Sequence, residues 1–64
     1  MRTTRMIQGP RGLAAALAGA PAFVQDDTGQ WRKASAKSWR RFHDDGSPFA
    51  ARFGVRTDDA RRVL

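Results

Sequence analysis

The chain predicts a small α+β domain: a short N-terminal helix, a β-hairpin, then three short helices, all within one unit spanning 1–64. Three observations lead there. Leu13 and Leu17 stand four residues apart among alanines, which is the spacing of one helix face. The stretch "AFVQDDTGQWRKA" sets two runs of β-favouring residues around Asp-Asp-Thr-Gly, a hairpin pattern. From Ser35 onward, capping residues recur just ahead of helical spacings, at Ser35, at Ser47-Pro48 and at Thr57.

The opening arm, "MRTTRMIQ", is basic and polar and holds Thr3, Thr4 and Ile7, so residues 1–10 are read either as a loose arm or as a short edge strand. Gly9-Pro10 separates it from a helix over Arg11 to Gly19, and Pro21 forbids continuation. In the hairpin, a four-residue loop over Asp26–Gly29 pairs Gln25 with Gln30. Val24 then falls opposite Trp31, and Phe23 opposite Arg32. A slip of one residue would exchange the two faces.

Ser35 caps a helix running to His43, stopped by Asp44-Asp45-Gly46. Ala36, Trp39, Phe42 and His43 fall on one side of it, with Lys37, Arg40 and Arg41 on the other. This division assigns Trp39 and Phe42 to the core. Ser47 and Pro48 start a third helix, on which Phe49 and Phe53 share a face and Gly54 supplies a left-handed end. Thr57 caps a fourth, with Asp58 and Asp59 complementing its positive terminus and Ala60, Val63 and Leu64 forming its apolar side.

A chain of 64 residues buries only about 60% of its unfolded surface, so the core is thin. Its expected members are Ile7, Leu13, Leu17, Phe23, Val24, Trp31, Trp39, Phe42, Phe49, Phe53, Val55, Val63 and Leu64. Without cysteine, and with a single histidine, neither a disulfide nor a zinc site supplements that core. A homodimer or a bound partner would add burial. No metal or cofactor site is expected: "GPRG" lacks the spacing of a phosphate-cradling loop. Nor is a catalytic residue. His43 stands beside Asp44 and Asp45, but neighbours in sequence make no triad, and no nucleophile is indicated.

Ten Arg and two Lys against six Asp and no Glu give a net charge of +6. That balance attracts polyanions: nucleic acid, anionic lipid or an acidic protein surface. The arginine bias suits planar phosphate recognition, and a GC-rich coding sequence yields it equally. Arg2, Arg5 and Arg11 ahead of "LAAALAGA" resemble a secretory signal, but the apolar run is short and broken by Gly19. An intact cytoplasmic chain is the expectation, and no stretch approaches the roughly 20 apolar residues that span a bilayer.

The last segment, "SPFAARFGVRTDDARRVL" (47–64), resembles the helix-turn-helix motif of the DNA-binding superfamily. Ala50, Gly54, Val55, Ala60 and Val63 match its spacing, and Phe49 and Phe53 fill its other apolar places. The resemblance implies a recognition helix near Asp58 to Leu64 lying in the major groove. Asp58 and Asp59, which would face phosphates, depart from that pattern. The partner expected is nucleic acid, with DNA favoured over RNA, contacted by Lys33, Lys37, Arg40, Arg41, Arg52, Arg56, Arg61 and Arg62. A small transcriptional or mobile-element regulator would fit. The alternative is an interaction protein that covers an acidic surface of a larger machine, as small phage inhibitors do, and a third reading is a secreted cationic peptide precursor.

Overall fold

The computed structural model describes residues 5–64. Its elements are β1 (Met6–Ile7), α1 (Gly9–Leu17), β2 (Ala22–Gln25), β3 (Trp31–Ala34), α2 (Ala36–Asp44), a 3-10 helix (Pro48–Arg52), β4 (Phe53–Arg56) and α3 (Thr57–Val63). The strands form one antiparallel sheet in the order β1-β4-β2-β3, within a slab of 35 × 28 × 15 Å. The α+β class is as the sequence predicts, but the order of elements after α2 is not.

The expected pair of successive helices is interrupted by a strand. Phe53 and Val55 alternate with Gly54 and Arg56, and this period of two outweighs the helical spacing of Phe49 with Phe53. Gly54 is therefore no left-handed helix end; it pairs with Phe23 in the middle of the sheet. What precedes it is only a five-residue 3-10 helix, although Ser47 caps it as anticipated by accepting the Phe49 N–H at 3.2 Å. Thr57 does not cap α3. Its hydroxyl donates to the Arg5 carbonyl at 2.8 Å, which ties the start of α3 to the first strand. Met6–Ile7 supplies the edge strand; Thr3 and Thr4 lie outside the described residues.

α2 follows its sequence closely. Ser35 accepts the Ser38 N–H at 3.1 Å, and the helix closes where Gly46 turns left-handed, with the Ser47 N–H on the Phe42 carbonyl and the Gly46 N–H on that of His43. Trp39 is fully buried and stacks on Phe53, ring centroids 5.5 Å apart. α1 starts earlier than Arg11 because Pro10 is admitted in the first turn, where its missing N–H costs nothing. Its buried face is made of small residues, Gly12, Ala15 and Ala16, with Leu13; Leu17 is half exposed. Close packing explains the choice. A Cβ added at Gly12 would lie 2.2 Å from the Ile7 carbonyl oxygen and 2.7 Å from Trp39.

The hairpin register differs by one residue from the expected one. Gln25 pairs with Trp31, Val24 with Arg32 and Phe23 with Lys33. The physical reason is the Asp26 side chain, which accepts the Thr28 N–H at 2.9 Å and the Gln30 N–H at 3.0 Å and so closes a five-residue loop, Asp26 to Gln30. The slip exchanges faces. Ile7, Ala22, Val24, Ala34, Phe53 and Val55 point to the helices, whereas Met6, Phe23, Gln25, Trp31, Lys33, Gly54 and Arg56 share the other side. Phe23 and Trp31 thus leave the expected core, as do Leu17, Phe42, Phe49 and Leu64, which are exposed by 50%, 37%, 52% and 62%.

Candidate nucleic-acid interface

Two cationic surfaces arise from this fold. The first is the outward side of α2. With Trp39 committed to Phe53, Lys37, Arg40 and Arg41 project away from the sheet, all three exposed. Arg40 reaches Asp44 one turn on, at 3.6 Å, an exposed pair that holds the guanidinium only weakly. Lys37 and Arg41 have no carboxylate partner among the described residues.

The second is the open face of the sheet. Here Lys33 sits across from Phe23, and the Arg56 guanidinium lies over the Phe23 ring, 4.6 Å from its centroid. Trp31 reaches diagonally across two strands to cover Gly54: a Cβ placed there would be 3.3 Å from the indole and 3.2 Å from Met6. A side chain at 54 would push the ring away, so glycine is what lets Trp31 lie down on the sheet. Arg62, Asp58 and Asp59 border this face at the α3 end.

Arg52 belongs to neither surface. It bonds Asp27 at 3.2 Å and lies 5.6 Å from the Phe49 ring, beside the exposed Phe42–Phe49 pair. Arg61 instead joins Arg5 and Arg11 around an open cavity of about 570 Å³ floored by Met6, Ile7, Ala60 and Leu64. From sequence, Arg5 and Arg11 stand out only as the basic run ahead of a signal-like apolar stretch, not as members of a site with Arg61. No local signal marks that grouping, since β1, α1 and α3 meet only through the fold.

Among the described residues Asp26, Asp27 and Asp44 meet cations, whereas Asp45, Asp58 and Asp59 do not. Asp26 lies well below the usual carboxylate range, held there first by Arg32 at 2.7 Å, then by the Thr28 hydroxyl and the two loop N–H groups. Among the described residues no cluster of three or more His, Asp or Glu forms a metal site, and no helix is long and apolar enough to cross a membrane. No known family, curated protein or solved structure matches the chain.

Proposed function

We propose that this protein is a small, non-enzymatic nucleic-acid-binding protein acting in the cytoplasm, with DNA favoured over RNA and a regulatory role the natural setting. The observation that carries the reading is charge left uncommitted. Of the eight cations named from sequence, only Arg40 and Arg52 meet a carboxylate among the described residues; Lys33, Lys37, Arg41, Arg56, Arg61 and Arg62 do not. Ordinary solvated surfaces mix their signs, whereas a phosphate backbone supplies the missing anions and releases counterions when it does. The reading uses no recognition helix, because α3 has seven residues and begins with two acids.

The test is a salt series. Fluorescence anisotropy with a labelled duplex and a labelled single strand should give affinities that fall linearly in log Kd against log salt, about 0.7 to 0.9 units of slope per phosphate contacted. Absence of salt-dependent binding to either probe would end the proposal.

A second reading has its own observation. Phe42 and Phe49, 6.1 Å apart and partly exposed, sit beside Arg52, and aromatics with arginine are the composition of protein interfaces. An interaction protein directed at an acidic partner would use that patch; a homodimer, whose second copy is as basic as the first, would be a separate way of covering it. Recovery of one partner from nuclease-treated lysate, lost in Phe49→Ala, would favour it.

A further inference from the structure

We propose that the open face of the sheet is a platform for single-stranded nucleic acid, with Trp31 stacking on an unpaired base and Lys33 and Arg56 holding the flanking phosphates. The inference rests on the nucleic-acid reading above and narrows it to one strand state and one face.

The face has the two parts such a site needs, interleaved. Trp31 and Phe23 are apolar rings that no helix covers, left half-buried on a side of the sheet where the core cluster has no member. Around them stand Lys33 and Arg56, neither with a carboxylate partner among the described residues. Arg56 already stacks on Phe23, so its planar guanidinium extends the aromatic surface as well as carrying charge. Single strands are bound in this way, by cations that follow the backbone and rings that take the bases. A duplex keeps its bases stacked inside and offers nothing to Trp31.

Charge also sets the path. Asp58, Asp59 and Arg62 line one hollow with Phe23, Trp31 and Arg56, and the two acids repel phosphate on its α3 side. The backbone is therefore routed from Arg56, which immediately precedes α3, across β2 to Lys33 on the β3 edge, leaving the two acids behind it. The α2 cations take no part, since they project from the other side of the molecule.

The experiment uses the whole chain, a labelled oligothymidylate, a labelled duplex of equal length, and poly-glutamate as an anion without bases. Trp39→Phe leaves Trp31 as the only tryptophan and makes its emission a direct reporter. The single strand should bind more tightly than the duplex and quench Trp31, and poly-glutamate should not quench it. Trp31→Ala should weaken single-strand binding by roughly 5- to 150-fold with the salt slope unchanged. Arg56→Gln and Lys33→Gln should each lower that slope by about 0.7.

Trp31→Leu, which keeps cover over Gly54, serves if Trp31→Ala fails to fold, and the quenching measurement needs no change at position 31. Equal affinity for single strand and duplex, unquenched Trp31 in the bound complex, or quenching by poly-glutamate would each overturn the platform. A sedimentation result showing a dimer that shields Trp31 would do the same. In those cases salt-dependent binding that is lost with Lys37, Arg40 and Arg41 still supports the broader reading; no salt-dependent binding at all removes both.

Discussion

Trp39 is the residue on which most of this small domain depends, and its indole nitrogen makes the dependence measurable. The ring is completely buried and stacks on Phe53, yet its Nε1–H finds no acceptor among the described residues. Trp39→Ala removes the largest buried side chain and should cost about 3 to 5 kcal/mol. A 64-residue domain has about 3 to 10 kcal/mol of stability in total, so this variant should be largely unfolded at room temperature or nearly so. Trp39→Phe behaves differently. It gives up part of the ring's burial, about 1 to 2 kcal/mol, and also removes a buried donor whose desolvation costs about 1 to 3 kcal/mol. The two effects oppose, and the net change should stay within about 1 kcal/mol, a melting shift of no more than about 8 °C. Urea and thermal unfolding followed by far-UV circular dichroism measure both variants. An unchanged midpoint in Trp39→Ala would refute the core placement. A Trp39→Phe variant as unstable as Trp39→Ala would show that the N–H is satisfied in the folded state.

Other outcomes follow from the same geometry. Gly12→Ala should destabilise by more than the 1 kcal/mol or so that helix propensity would return, because the new Cβ meets the Ile7 backbone at 2.2 Å; a higher melting point would show that α1 is not seated so closely. The depressed Asp26 carboxyl adds stability that is present above its ordinary value of 3.8 and is lost as pH falls through the lowered one. Wild-type urea midpoints should therefore decline below about pH 4, and Asp26→Asn should be less stable at neutral pH and lose that part of the decline. Selection on random duplexes should return no sharp consensus, since Asp58 and Asp59 lead α3; a consensus that blurs in Arg61→Ala or Arg62→Ala would make α3 a base reader.

Local signals in this chain were legible where one residue decides the outcome. Ser35 caps α2, Ser47 caps the segment after it, and Trp39 goes inward because its own helix sends Lys37, Arg40 and Arg41 the other way. The hairpin was legible but its register was not, because the loop length rests on Asp26 accepting two N–H groups, a choice between neighbouring acids that composition leaves open. That single residue turns Trp31 to the open face, where Phe23, alternating with Val24 on β2, points in either register. From sequence, Phe53 and Gly54 read as the end of a helix because the stretch carries both periodicities, and only pairing with β1 and β2 selects the strand Phe53–Arg56. The Arg5, Arg11 and Arg61 cluster was invisible for a related reason: its members are local to nothing but the finished fold.

The two cationic surfaces lie on opposite sides of a slab 15 Å thin, and this makes their contributions separable. If one strand contacts one face only, a Lys37→Ala, Arg40→Ala, Arg41→Ala variant and a Trp31→Ala variant report on different complexes. The triple variant keeps Trp39 and its packing, so it should stay folded, and on a duplex probe it should lose about two units of salt slope, allowing for the partial engagement of Arg40 with Asp44. On a single-stranded probe it should lose little. Trp31→Ala should show the reverse, weaker single-strand binding and unchanged duplex binding. Combining the two should then give additive free energies on each probe, since the sites share no partner. Marked non-additivity would mean that one nucleic acid wraps the edge of the slab and touches both faces, and the β3 edge at Lys33 would be the place to look for it.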